Sequence, residues 1–124
     1  MPQIPTGYTT TDGQFVDSRD VVLHPSAART ATANGSVVEE TAHRRIAALV
    51  LDITAASGTN PTLDVTVQTS RDGSTWYSAG AFTQATATST QRKTFALDRY
   101  VRAQWTIGGT DTPTFTFDLR GELA

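Results

Sequence analysis

Between residues 63 and 68, Leu63, Val65 and Val67 alternate with Asp64, Thr66 and Gln68, a period of two that predicts a half-buried strand. The alternation returns downstream. Val101, Ala103, Trp105 and Ile107 face one way and Tyr100, Arg102, Gln104 and Thr106 the other, and Phe115, Phe117 and Leu119 then share a face near the C-terminus. Val21 and Leu23 define a short early strand that His24-Pro25 is expected to end. The most apolar stretch, Arg44 to Thr54, carries Ile46, Leu49, Val50, Leu51 and Ile53. A helix competes there, but its β-branched content and the strands downstream favour a central strand buried on both faces. Trp76 to Phe82 and Gln91 to Leu97 are further strands.

Turn chemistry joins these elements. Asn34-Gly35 predicts a type I′ turn within a hairpin over 27–40. Residues 55–61 read as a loop, Arg71-Asp72-Gly73-Ser74 as a tight turn, 85–90 as a mobile Ala/Thr/Ser loop and Gly108-Gly109 as a turn. About eight half-apolar strands bury their faces most simply as two facing sheets. The expectation is an all-β, single-domain antiparallel β-sandwich of jelly-roll or Greek-key type over 18–124, with an incompletely closed barrel as its nearest rival. Residues 1–17, with Pro2 and Pro5, read as an extended N-terminal arm. Tyr8 and Phe15 would be costly to leave wet on that arm, so it is expected to order against a neighbouring subunit.

Composition narrows the class. Of 124 residues, 18% are charged and 38% apolar, while 23 are Thr, which suits pleated surfaces and argues against a helical bundle. A net charge of −2 argues against a dedicated nucleic-acid binder. No apolar run approaches the ~18 residues of a membrane span, and the N-terminus has no secretory pattern. With no Cys, disulfides and thiolate chemistry are excluded.

Candidate chemistry is sparse, and no cofactor is expected. His24 and His43 sit in no metal-ligand spacing, and the Asp residues are scattered one to a strand or turn. Neither a nucleophile elbow nor a phosphate-cradling loop occurs, so the chain reads as non-enzymatic. Trp105 and Trp76 are expected in the core, leaving Tyr77 and Tyr100 as candidate platforms for a sugar ring. Nine Arg stand against one Lys, and Arg favours bidentate contacts at protein interfaces. Arg19, Arg29, Arg44, Arg45 and Arg92 are candidates for docking on an acidic neighbour. Pairing with strand carboxylates, for instance of Arg102 or Arg120 with Asp64 or Asp118, is the competing role.

Two segments carry a resemblance. The run 65–77, with Ser70-Arg71-Asp72-Gly73-Ser74-Thr75-Trp76, and the run Arg99-Tyr100-Val101-Arg102 are similar to a strand–turn–strand pattern of discoidin-like jelly rolls. The chain as a whole, from its Pro/Thr arm through 49–59 to Trp105-Thr106-Ile107-Gly108-Gly109, resembles small structural proteins of tailed bacteriophages, most closely capsid decoration (cement) proteins. That resemblance implies a virion protein made in the host cytoplasm. It would bind the outside of the shell, with the major capsid protein and copies of itself as partners and with no nucleic-acid or membrane partner. A tail or neck component and a carbohydrate-binding β-sandwich module are the alternatives.

Overall fold

In the computed structural model, which describes residues 18–124, seven strands follow one another: β1 (Arg19–Arg29), β2 (Ala33–Asn34), β3 (Val38–Glu39), β4 (Ile46–Ser70), β5 (Tyr77–Ala81), β6 (Ser89–Ala96) and β7 (Tyr100–Leu123). β4 and β7 pair antiparallel from Ala47 opposite Leu123 to Ser70 opposite Tyr100. Trp105 and Phe117 lie twelve residues apart on β7, roughly 40 Å in a straight strand. Their ring centroids are 5.7 Å apart. Both long strands therefore fold back on themselves, through 54–62 in β4 and 108–114 in β7.

The segments expected as a loop at 55–61 and a turn at Gly108-Gly109 are instead this corner, where pairing continues through three register shifts. The bend is absorbed in left-handed backbone at Asn60, Asp111 and Thr112 (φ 48°, 60° and 53°). Gly109 has φ 117°, and a Cβ there would lie 2.8 Å from the Asn60 carbonyl, so the two strands pass closely only because no side chain intervenes. The Thr59 hydroxyl donates to the Asp111 carboxylate across the corner.

The corner divides the sheet into two half-sheets. In the first, β1 pairs with the trailing part of β7, that part with the leading part of β4, and that in turn with β6. In the second, β2 and β3 pair with the leading part of β7, which pairs with the trailing part of β4 and so with β5. Counting the two parts of each long strand separately, and β2 with β3 as one, this is the order of a jelly roll. Hydrogen bonding makes it one continuous sheet, so the two separate sheets expected from the sequence are a single sheet doubled over.

The inward faces meet as one core. Ala47, Leu49, Leu51, Ile53, Phe115, Phe117 and Leu119 come from the first half-sheet, and Leu63, Val65, Val67, Val101, Ala103 and Trp105 from the second. The 46–53 stretch is buried on one face only: Ala48, Val50 and Asp52 are half-buried and Ile46 is exposed. Its unbroken apolar character overstated its burial, because among the described residues no layer covers its outer side.

Pro25 does not end β1. Register shifts on either side of His24 accommodate the proline, and pairing with β7 resumes at Ala27. His24 is fully buried, stacked on Phe117 at 4.0 Å and edge-on to Trp105 at 4.8 Å. Arg29 Nε donates to its Nε2 (2.8 Å), so Nδ1 carries the proton and donates to the Phe117 carbonyl (2.9 Å). The predicted 27–40 hairpin is absent too: β2 and β3 both pair with β7, and Gly35 N–H donates to Ala103 O (2.8 Å). A long strand with an open edge offers those few polar residues more backbone partners than a hairpin of their own would.

Both open sides of the doubled sheet are latched by side chains. Between β5 and β6, the Gln91 amide bonds both N–H and C=O of Thr83 (2.8 Å each), and Lys93 Nζ donates to Ala81 O (2.7 Å). These side chains occupy backbone groups that an edge would otherwise present to another chain. Ala85, expected in a mobile loop, is buried and exchanges both backbone hydrogen bonds with Leu63. On the opposite side Glu40, buried, accepts from Arg19 (3.0 Å), Arg44 (3.1 Å) and Ala42 N–H (2.7 Å).

Candidate functional site: an arginine–aromatic cluster on the second outer face

The turn predicted at 71–74 forms, and its bonding is dense. Asp72 Oδ1 accepts from Ser74 N–H (2.8 Å), Thr75 N–H (2.9 Å) and the Ser70 hydroxyl (3.0 Å). Those three donors hold the Asp72 carboxyl below its usual range, the Thr75 amide contributing most. Thr69 ties the second segment down: its hydroxyl donates to Tyr100 O (2.8 Å) and accepts from Asp98 N–H (2.7 Å). The two runs that carry the jelly-roll resemblance thus meet at one end of the second half-sheet.

Their side chains meet on its outer face. Trp76, expected in the core, is half-buried and lies outside it. The Arg102 guanidinium covers its ring at 4.2 Å, and Arg102 Nε donates to Gln68 Oε1 (2.8 Å). Tyr100 stands beside them, two residues along the same face of β7, with its ring against Gly73 (3.5 Å to an added Cβ). Arg99 lies 5.7 Å from the Tyr100 ring and is paired with Glu39 (Nε to Oε2, 2.8 Å). Register puts Thr66 and Gln104 further along this face. Asp64, which accepts from Gln84 (3.0 Å), lies beyond them.

Arg102 has, as its competing role, pairing with a strand carboxylate such as Asp64 or Asp118. It takes the Gln68 amide and the Trp76 ring instead, because Asp64 lies two outward positions further along β4, opposite Thr106. Arg120 does pair with Asp118 (3.5 Å), two residues away on its own strand. The outward parity of Arg102 and Gln68 was legible in the alternation; that Trp76 would roll onto the outside rather than the inside was not.

The other candidate residues are scattered. Tyr8 and Phe15 lie outside the described residues. Arg19 and Arg44 are engaged with Glu40, Arg29 with His24 and the Trp105 ring (5.2 Å), and Arg45 with the Arg44 carbonyl (3.0 Å). Tyr77 is exposed and lies opposite Thr69, whereas Tyr100 lies opposite Ser70. Successive residues point to opposite faces, so the two rings do not form a shared platform. Tyr77 lines a shallow depression of about 560 Å³ with Thr69, Ala96 and Asp98. Among the described residues no three His, Asp or Glu side chains converge.

No family model matches this chain, and no curated protein matches it. Among solved structures it is similar to PirA, at 11% identity over 91% of this chain and 99% of PirA, with a TM-score of 0.43.

Proposed function

We propose that this chain is a non-enzymatic virion structural protein that binds the outside of a phage capsid and stabilises the shell. The observation that carries the reading is the build of the domain. Two strands pair along nearly its whole length, Ala47–Leu123 to Ser70–Tyr100, and both open sides are closed by side chains. Such a body has little conformational freedom to lose on attachment, so weak contacts repeated over many copies suffice. The resemblance in sequence to phage decoration proteins supports the same reading, with the major capsid protein and neighbouring copies as partners.

The test is the number of copies per particle, by quantitative mass spectrometry of virions from the source of the chain. Hundreds of copies are expected on a shell. A few or tens would move the chain to the neck or tail, and none would overturn the virion reading.

A further inference from the structure

Arg102 is half-buried and held in one orientation, yet it touches no carboxylate among the described residues. Trp76 supports one face of its guanidinium at 4.2 Å and Gln68 takes the Nε–H. The terminal nitrogens keep four N–H donors whose direction is fixed in advance. Arg19 and Arg44 are answered by Glu40, Arg99 by Glu39, Arg120 by Asp118 and Arg71 by Asp98 (3.9 Å); Arg29, also half-buried against an indole, gives its Nε–H to the buried His24 ring, and Arg92 stands exposed opposite Val50 on the other outer face. A planar guanidinium fork stacked on an indole is matched by a carboxylate that approaches in its plane and takes two parallel hydrogen bonds.

We infer that the Trp76–Arg102–Gln68 cluster, with Tyr100 beside it, is the docking centre for a partner protein that presents an Asp or Glu carboxylate. The inference rests on the attachment reading above and names the surface and the chemistry that would perform it. Two features select a protein partner. Trp, Tyr and Arg are the residue types that dominate binding energy at protein interfaces, where they cluster, as these three do here. The remaining outward strand positions nearby, Thr66 and Gln104, are uncharged, and the Asp72 carboxylate of the adjoining turn is taken up by its own turn's donors, so Arg102 is a cation that no described carboxylate answers. That suits one acidic side chain at the centre of a larger contact. Stacking under Arg102 also occupies a face of the indole that a sugar ring would need.

The test is a titration of the isotopically labelled full chain with poly-L-glutamate, followed at the side-chain Nε–H signals of Arg102 and Trp76. Polygalacturonate serves as the carbohydrate arm with the same carboxylate charge. Poly-L-glutamate is expected to shift both signals. Arg102→Gln should weaken its binding at least ~10-fold, the order of one charge-assisted bidentate contact, and Arg120→Gln, on the other outer face, should leave it within about 2-fold. Thermal unfolding of both variants confirms that they are folded. Arg102→Lys, which keeps the charge and loses the fork, should fall nearer to Arg102→Gln than to the parent. Shifts with polygalacturonate alone would assign the cluster to an acidic glycan and overturn the inference, as would shifts with neither polymer or equal weakening by Arg120→Gln. The titration involves no particle, so its failure leaves the capsid reading to the copy-number measurement, and the reverse holds too.

Discussion

The two half-sheets share the same long strands, yet they are flanked differently. In the first, β1 and β6 add eleven and eight residues to the central pair. In the second, β2, β3 and β5 add only two, two and five. The outer faces differ in kind as well. That of the first half-sheet sets Val22 and Val50 against Arg120, which answers Asp118 on its own strand. That of the second exposes an arginine resting on an indole, with amides and hydroxyls around it. Backbone pairing is concentrated in the first half-sheet, and the half-buried arginine–indole cluster lies on the second. A domain arranged in this way can be stabilised by one half and recognised by the other.

Trp105 sets the strength of the coupling between the halves. It belongs to the second, and its ring packs on Phe117 and His24 of the first, with Nε1–H donating to Ala31 O (3.0 Å). Trp105→Ala should cost about 3–5 kcal/mol, the range for truncating a large buried aromatic, read as the loss in denaturant unfolding free energy. Trp76→Ala should cost under about 1.5 kcal/mol, since Trp76 is half-buried on the outside. Equal losses would mean that the outer cluster is structural, and would erase the contrast between the faces.

The Glu40 latch comes next. Burial alone would raise this carboxyl, but the bonds from Arg19, the Ala42 amide and Arg44 outweigh it and hold the carboxyl below 4.5. Glu40→Gln should cost about 1–3 kcal/mol by removing the charge that answers two guanidinium groups, one of them 44% exposed and so partly solvated. Glu40 supplies stability that is complete above 4.5 and drains away as the pH falls through its lowered native value. His24 acts at higher pH. Burial, then the Arg29 guanidinium, lowers its proton affinity, against the pull of the Phe117 carbonyl and Asp118. Below 6.5 the unfolded ring binds protons that the native ring refuses, so stability falls with pH there. The slope between 6.5 and 4.5 should flatten in His24→Phe and persist in Glu40→Gln. A slope that survives in His24→Phe would show that the ring is not held neutral.

Sequence alternation was sufficient for the strands whose two faces differ in polarity. The inward sets Leu63/Val65/Val67, Val101/Ala103/Trp105 and Phe115/Phe117/Leu119 are all buried, Ile107, expected with the second set, is half-buried against the core, and the Asp72-Gly73 turn lies where its chemistry required. Alternation failed where backbone partners rather than side chains decided. At Pro25 and at 55–61, pairing with β7 carried the strand through residues that locally favour breaks. At Asn34-Gly35 a strong turn signal lost to an available strand edge. Alternation cannot sort the arginines for a further reason: an Arg reads alike whether its counter-ion is internal, as for Arg19 and Arg44, or is missing among the described residues, as for Arg102. Only the register across β4 and β7 separates those cases.

The corner between the halves offers the smallest test. Thr112 is β-branched and sits at φ 53°, in left-handed backbone that costs an ordinary residue about 1–2 kcal/mol and Asn appreciably less. Its side chain is exposed, so replacing it removes little packing. Thr112→Asn should therefore raise the unfolding free energy by about 0.5–1 kcal/mol, measured beside Thr106→Asn, an exposed position on β7 without that backbone conformation. Thr106→Asn should be neutral or mildly destabilising, because Asn fits a strand less well than Thr does. A gain at 112 with none at 106 would locate stored strain at the fold-back, which both half-sheets must hold against their own tendency to straighten. If Thr112→Asn destabilises, the corner is relaxed, and the doubling of the sheet is set by the packing of the two inward faces, Trp105 on Phe117 and His24 among them.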